Sequence, residues 1–251
     1  MGHCQVTRAV IAVDGEWDFV KAQQHFQKAL ELQPGYAAAH ILYGEILSVP
    51  LQRYAEAQRH CDRARELDPL SPWNDTCLLL LWAYQGRWDK ELEVGEWALK
   101  RDPTMFWIHF VRAGARMGLG QPDRAIPELE ETLSQLQPER PPAVLAALGE
   151  AYAMAGRKAA AGKILTEMEQ MSQKRYVSPL NRATVYAALG RMDEAFRLLD
   201  QALEQRTAYL FFCSQYDPYF FVFRHDRRWK PFVERLRAAV RLPPGTRNPY
   251  F

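Results

Sequence analysis

Short apolar and polar stretches alternate along the chain with the spacing of amphipathic helices, and one stretch recurs at a nearly constant interval. Residues 22–34 (AQQHFQKALELQP), 57–69 (AQRHCDRARELDP) and 91–103 (ELEVGEWALKRDP) align without gaps. Each stretch ends in a proline, and Pro34, Pro69 and Pro103 are 35 and then 34 residues apart. Proline cannot continue a helix because it has no backbone N–H, so these prolines indicate helix ends. A repeat of this length predicts a stack of helix pairs.

A second series marks the turn inside each later pair. Gly86, Gly120, Gly156 and Gly190 are separated by 34, 36 and 34 residues. Glycine adopts the left-handed backbone conformation that often follows a helix without the strain that a Cβ atom causes. We therefore predict a turn between two helices at each of these glycines.

Together the two series divide the chain into six predicted helix pairs and a C-terminal remainder. The pairs are 3–34, 36–69, 72–103, 105–138, 142–174 and 177–206. Residues 207–240 are predicted to form a cap that includes a final helix, and residues 241–251 a tail. The predicted fold class is all-α, a right-handed superhelix of about six repeats closed by an aromatic segment.

The pattern resembles the tetratricopeptide-repeat (TPR) family, whose period is 34 residues. The family's motif places small residues where helices meet. They are found here as Ala22, Ala29, Ala57, Ala64, Ala98, Ala125, Ala161, Ala195 and Ala202. The first-helix motif is clearest at Leu148, Gly149 and Tyr152, and Gly44 takes the glycine position of the second repeat. Departures occur at Glu91, Thr132 and Met168, and Arg112 and Arg116 fall near expected core positions.

An ordered string of motifs resembles one group within this family. The motifs are GEWDF at 15–19, ELDPLSP at 66–72, KRYVSP at 174–179 and DPYF at 217–220. They are similar to the TPR region of bacterial regulators that carry winged-helix, serine/threonine kinase or cyclase effector domains. The resemblance implies a partner-sensing role and leaves open whether an effector domain precedes this chain. It also implies a cap core made of Phe211, Phe212, Tyr219, Phe220, Phe221, Phe223, Trp229 and Phe232.

Composition narrows the classes of partner. The formal net charge is +2, which argues against nucleic-acid binding by this chain, because such proteins usually present a strongly basic surface. The longest uncharged apolar run, centred on residues 77–84, is shorter than the roughly 20 residues that span a bilayer, so no membrane contact is expected. The first 14 residues lack a signal-peptide pattern, and the expected localisation is cytoplasmic.

The sequence offers no catalytic, metal or cofactor motif, and we expect a protein that is not an enzyme. Cys4, Cys61, Cys77 and Cys213 are scattered, which favours reduced thiols over a disulfide framework or a zinc site. The six histidines are scattered along the chain, and no two have the spacing that places them on one helix face. The carboxylates at positions 128, 130 and 131 are interpreted as a solvated helix face.

Function is expected on the concave surface lined by the first helix of each repeat. The TPR register places these candidate partner-binding residues there: Ile41, Glu45, Trp73, Leu80, Tyr84, Trp107, Phe110, Met117 and Glu150. Exposed aromatic side chains are typical of binding hot spots, so we expect a protein or peptide partner, bound as an extended peptide or a helix. The open alternative for Trp73 and Trp107 is packing between repeats.

Two other functions stay open at this stage. A closed superhelix or its aromatic cap could enclose a small apolar ligand. Alternatively, the first repeat could mediate self-association, because Val6, Val10 and Val13 are expected to leave an apolar helix face uncovered.

Overall fold

A computed structural model of the chain describes residues 1–48, 51–71, 73–212 and 218–246. Within them, twelve helices form six consecutive helical hairpins, and the all-α prediction is confirmed. Their bounds are α1 Gly2–Asp14, α2 Phe19–Leu32, α3 Ala37–Ser48, α4 Tyr54–Leu67, α5 Trp73–Ala83, α6 Trp88–Arg101, α7 Phe106–Gly118, α8 Pro122–Gln135, α9 Pro142–Met154, α10 Lys158–Ser172, α11 Pro179–Ala188 and α12 Met192–Glu204. Two 3-10 segments, Leu210–Phe212 and Pro218–His225, and a last helix, α13 Trp229–Ala239, follow.

Local sequence explains where these helices begin and end. The side chain of Asp18 accepts a hydrogen bond from the backbone N–H of Lys21, and Ser178 accepts one from that of Leu180. Such caps satisfy N–H groups that have no partner within the helix. The predicted turn glycines are confirmed, because Gly86, Gly120, Gly156 and Gly190 have φ angles of 68°, 71°, 75° and 80°.

Small residues set the distance between helices, as the repeat pattern predicts. All nine motif alanines are buried. At Gly149 on α9, an added Cβ atom would lie 3.0 Å from Val185 of α11 and 3.2 Å from Ile164 of α10. The absence of a side chain there lets the first helix of the fifth hairpin approach both its own partner and the next first helix.

The prediction of reduced thiols is wrong for two of the four cysteines. Cys61 on α4 and Cys77 on α5 form a disulfide whose Cα atoms are 5.8 Å apart. Both residues are buried, and they meet because α4 and α5 pack against each other across the junction of two repeats. Cys4 is free and exposed, and Cys213 lies outside the described residues.

The first hairpin does not leave its apolar face uncovered, contrary to expectation. Val6 and Val13 are 6% and 5% exposed, and Val10 is half-buried. Helix α2 covers this face, since α1 and α2 pack along their length. The exposed apolar residue of α1 is Ile11, which is 55% exposed.

A buried charge cluster replaces the expected apolar contact in the fourth hairpin. The carboxylate of Glu128 on α8 pairs with Arg116 and, at 3.2 Å, with Arg112, both on α7. His109 Nδ1 lies 3.1 Å from the same carboxylate. The side chain of Glu128 is only 8% exposed, so its interpretation as part of a solvated face is wrong. The two arginines near core positions are thereby explained.

The described parts of the C-terminal segment, residues 207–212 and 218–246, return to the first hairpin. The backbone N–H of Phe19 donates to the carbonyl of Arg241 at 2.8 Å, and that of Arg241 donates to Trp17 at 2.9 Å. The Arg241 guanidinium also lies 3.0 Å from the Asp18 carboxylate, 223 positions away in sequence. These contacts join the two ends of the hairpin array.

Aromatic packing closes the same junction. The ring of Phe211 contacts Trp17 and Phe19 edge-on, with centroid distances of 5.7 and 5.2 Å, and all three side chains are fully buried. Phe211, which the sequence predicts for the cap core, packs on the first hairpin. In the described ranges, no helix is long and apolar enough to cross a membrane.

Candidate functional site

A run of three stacked aromatic rings lies on the first helix of the fourth hairpin. Trp107 and Phe110 of α7 stack with ring centroids 5.1 Å apart. On the other side of Phe110, the ring of Tyr219 lies 5.7 Å away and nearly parallel, at 14°. Tyr219 belongs to the 3-10 segment Pro218–His225, so a non-repeat part of the chain occupies this helix face.

Two glycines shape the surface below these rings. Phe110, Gly114 and Gly118 follow one another at four-residue spacing and share one face of α7. A Cβ atom at Gly114 would lie 3.2 Å from the hydroxyl of Tyr219, and one at Gly118 would lie 2.7 Å from the indole of Trp88. The glycines therefore leave a shallow track in which flat rings can lie directly on the helix backbone.

A second ring of the 3-10 segment contacts this track. Phe221 meets the indole of Trp88 edge-on at a centroid distance of 5.6 Å. The guanidinium of Arg224 lies over the Phe221 ring, 4.2 Å from the ring centroid. Two aromatic side chains separated by one residue thus lie against the α6–α7 region.

The predicted partner-binding residues occupy different environments. Trp107 and Phe110 are half-buried, in mutual contact, and Leu80, Tyr84 and Glu45 are also half-buried. Trp73 stands at the start of α5 and is 58% exposed. Three of the nine are buried: Ile41, Met117 and Glu150, at 7%, 2% and 4% exposure.

Acidic groups define the electrostatics near the first two hairpins. Burial raises the pKa of Glu45 on α3 to about 7 and also raises the pKa of Asp14 at the end of α1. Burial, together with the negative charges of Asp14 and Glu45, raises the pKa of the Tyr209 phenol. The Tyr209 phenol and these two carboxyl groups therefore influence one another in this part of the first-helix side.

The structure also brings together two histidines that sequence spacing keeps apart. Nδ1 of His40 on α3 lies 2.8 Å from Nδ1 of His60 on α4, and Nε2 of His40 lies 3.0 Å from the carbonyl of Pro34. Burial lowers the pKa of both rings, that of His60 to about 4. In the part of the chain that the structure describes, no three metal-ligating side chains converge.

Sequence reasoning missed the residues that complete the aromatic surface. Trp107 and Phe110 are predicted for this surface, whereas Gly118 and Trp88 are not, and Phe221 is predicted only for the cap core. The four-residue spacing of Phe110, Gly114 and Gly118 was an available signal, because glycine at adjacent turns of one helix face indicates a close approach. The return of the 3-10 segment to that face has no signal in the repeat period.

Comparison with known proteins supports the repeat assignment. Residues 110–174 match the family model described as tetratricopeptide repeat. Comparison with functionally curated proteins gives no match. The fold is similar to that of PilW, a widely conserved type IV pilus biogenesis factor, with 20% identity over 81% of this chain and 92% of that one and a TM-score of 0.59.

Two further solved structures share the architecture. Pseudomonas aeruginosa pilF has 14% identity over 81% of this chain and 91% of that one, with a TM-score of 0.56. A tetratricopeptide repeat protein from Parabacteroides merdae has 14% identity over 95% and 90%, with a TM-score of 0.55. At these identities the likeness shows the fold alone. Residues 110–174 thus match the tetratricopeptide-repeat family, and the described helices have the fold of a tetratricopeptide-repeat solenoid.

Proposed function

We propose that this solenoid is a non-catalytic scaffold that binds a segment of another protein on the aromatic surface of α7. The observation that carries the proposal is the contact of Phe110 and Gly114 with Tyr219, a ring that comes from outside the repeats. A surface that already accommodates an aromatic ring from a non-repeat segment has the shape needed to bind one from a partner. Large aromatic side chains supply much of the binding energy at protein interfaces.

The alternative of a small apolar ligand has less support. A cleft of about 590 Å³ lies beside α10, but charged and polar side chains line much of it, including Lys163, Glu167 and Arg191. Sites for apolar ligands are mostly lined by apolar side chains. The regulatory setting, as the partner-binding part of a bacterial signalling system, is also a proposal, and it rests on the resemblance of the ordered motifs.

A displayed library of random peptides tests the proposal, because it samples many possible partner segments at once. We expect the wild-type chain to enrich peptides that contain aromatic residues. The variant Trp107→Ala/Phe110→Ala should bind the enriched peptides about 30-fold more weakly, because a hot-spot aromatic contributes about 2 kcal/mol or more. Binding is measured by fluorescence anisotropy with the selected peptides.

Trp97→Ala is the matched control. Trp97 lies on α6, is 45% exposed, and packs beneath the guanidinium of Arg101, so its removal should leave peptide binding unchanged. Circular dichroism must show that the double variant keeps its helical content. Undiminished peptide binding by a folded Trp107→Ala/Phe110→Ala chain would contradict the proposal.

A further inference from the structure

The 3-10 segment Pro218–His225 directs its aromatic side chains to two separate places. Phe220 and Phe223 are 4% and 0% exposed, and their ring centroids lie 5.9 and 5.7 Å from that of Trp229 at the start of α13. Tyr219 and Phe221 are half-buried and contact Phe110 and Trp88 instead. The first pair belongs to the core of the cap, whereas the second pair lies on the candidate binding surface.

The second pair is held by contacts that can be exchanged. The Tyr219 hydroxyl is 3.5 Å from the carbonyl oxygen of Phe110, which is long for a hydrogen bond, and its ring stacks on that of Phe110. An aromatic pair contributes about 0.5–1.5 kcal/mol beyond the area that it buries. Phe221 adds one edge contact with Trp88 and one cation–π contact with Arg224.

The receiving surface favours flat rings over other side chains. At Gly114, an added Cβ atom would lie 3.2 Å from the Tyr219 hydroxyl and 3.5 Å from the ring carbon Cε2. The ring therefore lies on the helix backbone itself, and the parallel face of Phe110 borders it. A ligand that uses this surface must bring a planar group to the same position.

We infer that Tyr219 and Phe221 are an intramolecular copy of the segment that an external partner brings to α7. The inference rests on the proposed function and adds the chemistry of the partner: a protein segment with two aromatic residues separated by one position. Because the internal copy is tethered, its effective concentration at α7 is on the order of millimolar. An external segment must compete with it, so occupancy by the partner is regulated by release of the internal rings.

A peptide with the sequence of residues 218–226 (PYFFVFRHD) provides the probe, labelled for fluorescence anisotropy and added to the full chain. In the wild type, the internal rings occupy the surface and the peptide should bind weakly. In Tyr219→Ala/Phe221→Ala, the surface is vacated while Phe220 and Phe223 stay in the cap core. We expect this variant to bind the peptide about tenfold or more tightly than the wild type.

Two further measurements assign the binding to α7. Adding Phe110→Ala to the double variant should abolish peptide binding, and a peptide with alanine at the positions of Tyr219 and Phe221 should not bind. Trp97→Ala in the wild-type chain is the control and should bind like the wild type. The single variant Tyr219→Ala removes only the ring beside Gly114 and should show a smaller gain in peptide affinity. It replaces the double variant in this test if the double variant is poorly folded.

Equal affinity of the wild type and the folded Tyr219→Ala/Phe221→Ala variant for the peptide would overturn the inference. Binding that survives Phe110→Ala in that background would overturn it as well. Neither result would contradict the proposed function, provided that the binding of displayed peptides depends on Trp107 and Phe110. Conversely, a displayed library from which neither the wild type nor the vacated variant selects a peptide would contradict the proposed function.

Discussion

Single glycines decide how closely the helices of this solenoid approach. At Gly44 on α3, an added Cβ atom would lie 2.8 Å from Sγ of Cys77 and 3.4 Å from Sγ of Cys61. The disulfide fixes both sulfur atoms, so neither can move away easily. At Gly162 on α10, in contrast, no atom lies within 4 Å of an added Cβ.

Replacing glycine by alanine is therefore predicted to change the free energy of unfolding in opposite directions at these two positions. Gly44→Ala should lower the free energy of unfolding by about 1–3 kcal/mol, because overpacking forces shifts in a buried contact. Gly162→Ala should raise it by about 0.5–1 kcal/mol, because alanine favours the helix over glycine. Urea denaturation of both variants measures the difference; equal changes in the two would contradict the structural reason.

The buried carboxylate of Glu128 gives a second prediction at this scale. Glu128→Gln should destabilise the chain by about 3 kcal/mol, because it leaves the Arg112 and Arg116 guanidinium groups without their countercharge. Glu131→Gln on the exposed side of α8 is the control, with an expected effect below about 0.5 kcal/mol. Similar stability of both variants in chemical denaturation would show that the ion pairs of Glu128 with Arg112 and Arg116 do not stabilise the fold.

At the scale of helices, the sequence predicts the hairpins well and the contacts between them less well. Period and glycine spacing locate the hairpins because each turn needs a residue with positive φ, as Gly156 shows. The Cys61–Cys77 disulfide and the His40–His60 pair escape the pattern, since each joins two helices and neither has a motif at fixed spacing. Such pairs depend on helix rotation, which the period alone does not determine.

The His40–His60 pair makes the stability of the α3–α4 hairpin dependent on pH. The Pro34 carbonyl can only accept a hydrogen bond, so Nε2 of neutral His40 carries a proton and its Nδ1 accepts from His60. Burial is the main cause that lowers the pKa of His60 to about 4, and the nearby charge of His40 contributes to the same shift. The pKa of His40 is lowered by burial and by Arg63, while its bond to Pro34 opposes this.

A lowered histidine pKa in the folded state means that the unfolded chain binds protons first as the pH falls. The stability contribution of His60 is therefore complete above about pH 6.5 and is lost as the pH falls toward 4. Between pH 7.5 and 5 we expect a loss of about 1–2 kcal/mol in the free energy of unfolding. Glu45, whose pKa is raised to about 7, stabilises the folded chain as the pH falls and so opposes the effect of His60. The contribution of His60 must therefore be measured by comparing the wild type with a His60 variant.

His60→Asn removes the titrating ring and keeps a polar group near Nδ1 of His40. We expect its free energy of unfolding to fall less than that of the wild type between pH 7.5 and 5. His225→Asn, at an exposed position, should follow the wild type. An unchanged pH profile for His60→Asn would assign the acid sensitivity to other groups.

At the scale of the whole molecule, the C-terminal segment turns a linear array into a closed one. In an open solenoid each repeat contacts only its neighbours, and its stability depends on them alone. Here Trp17 and Phe19 of the first hairpin pack on Phe211, from beyond the sixth. The repeat period could not predict this, because the returning residues lie outside it; the aromatic composition predicted a cap but not its destination.

Closure predicts that a change near residue 211 destabilises the opposite end of the array. Phe211→Ala should increase amide hydrogen exchange in α1 and α2, because it leaves a cavity beside Trp17 and Phe19. Helices α9 and α10 should keep their protection. Mass spectrometry of exchanged peptides measures both regions in one experiment. Faster exchange confined to the last hairpin, with the first unaffected, would contradict the closed arrangement.

The same junction constrains how the protein can be made. A ribosome releases the chain from its first residue onward, so Trp17 leaves the exit tunnel long before Phe211 and Arg241 have been synthesised. The first hairpin therefore emerges before its contacts with Phe211 and Arg241 can form. Vectorial folding, repeat by repeat from the N-terminus, cannot complete the first hairpin; this step must wait until the segment that holds Phe211 and Arg241 has been synthesised.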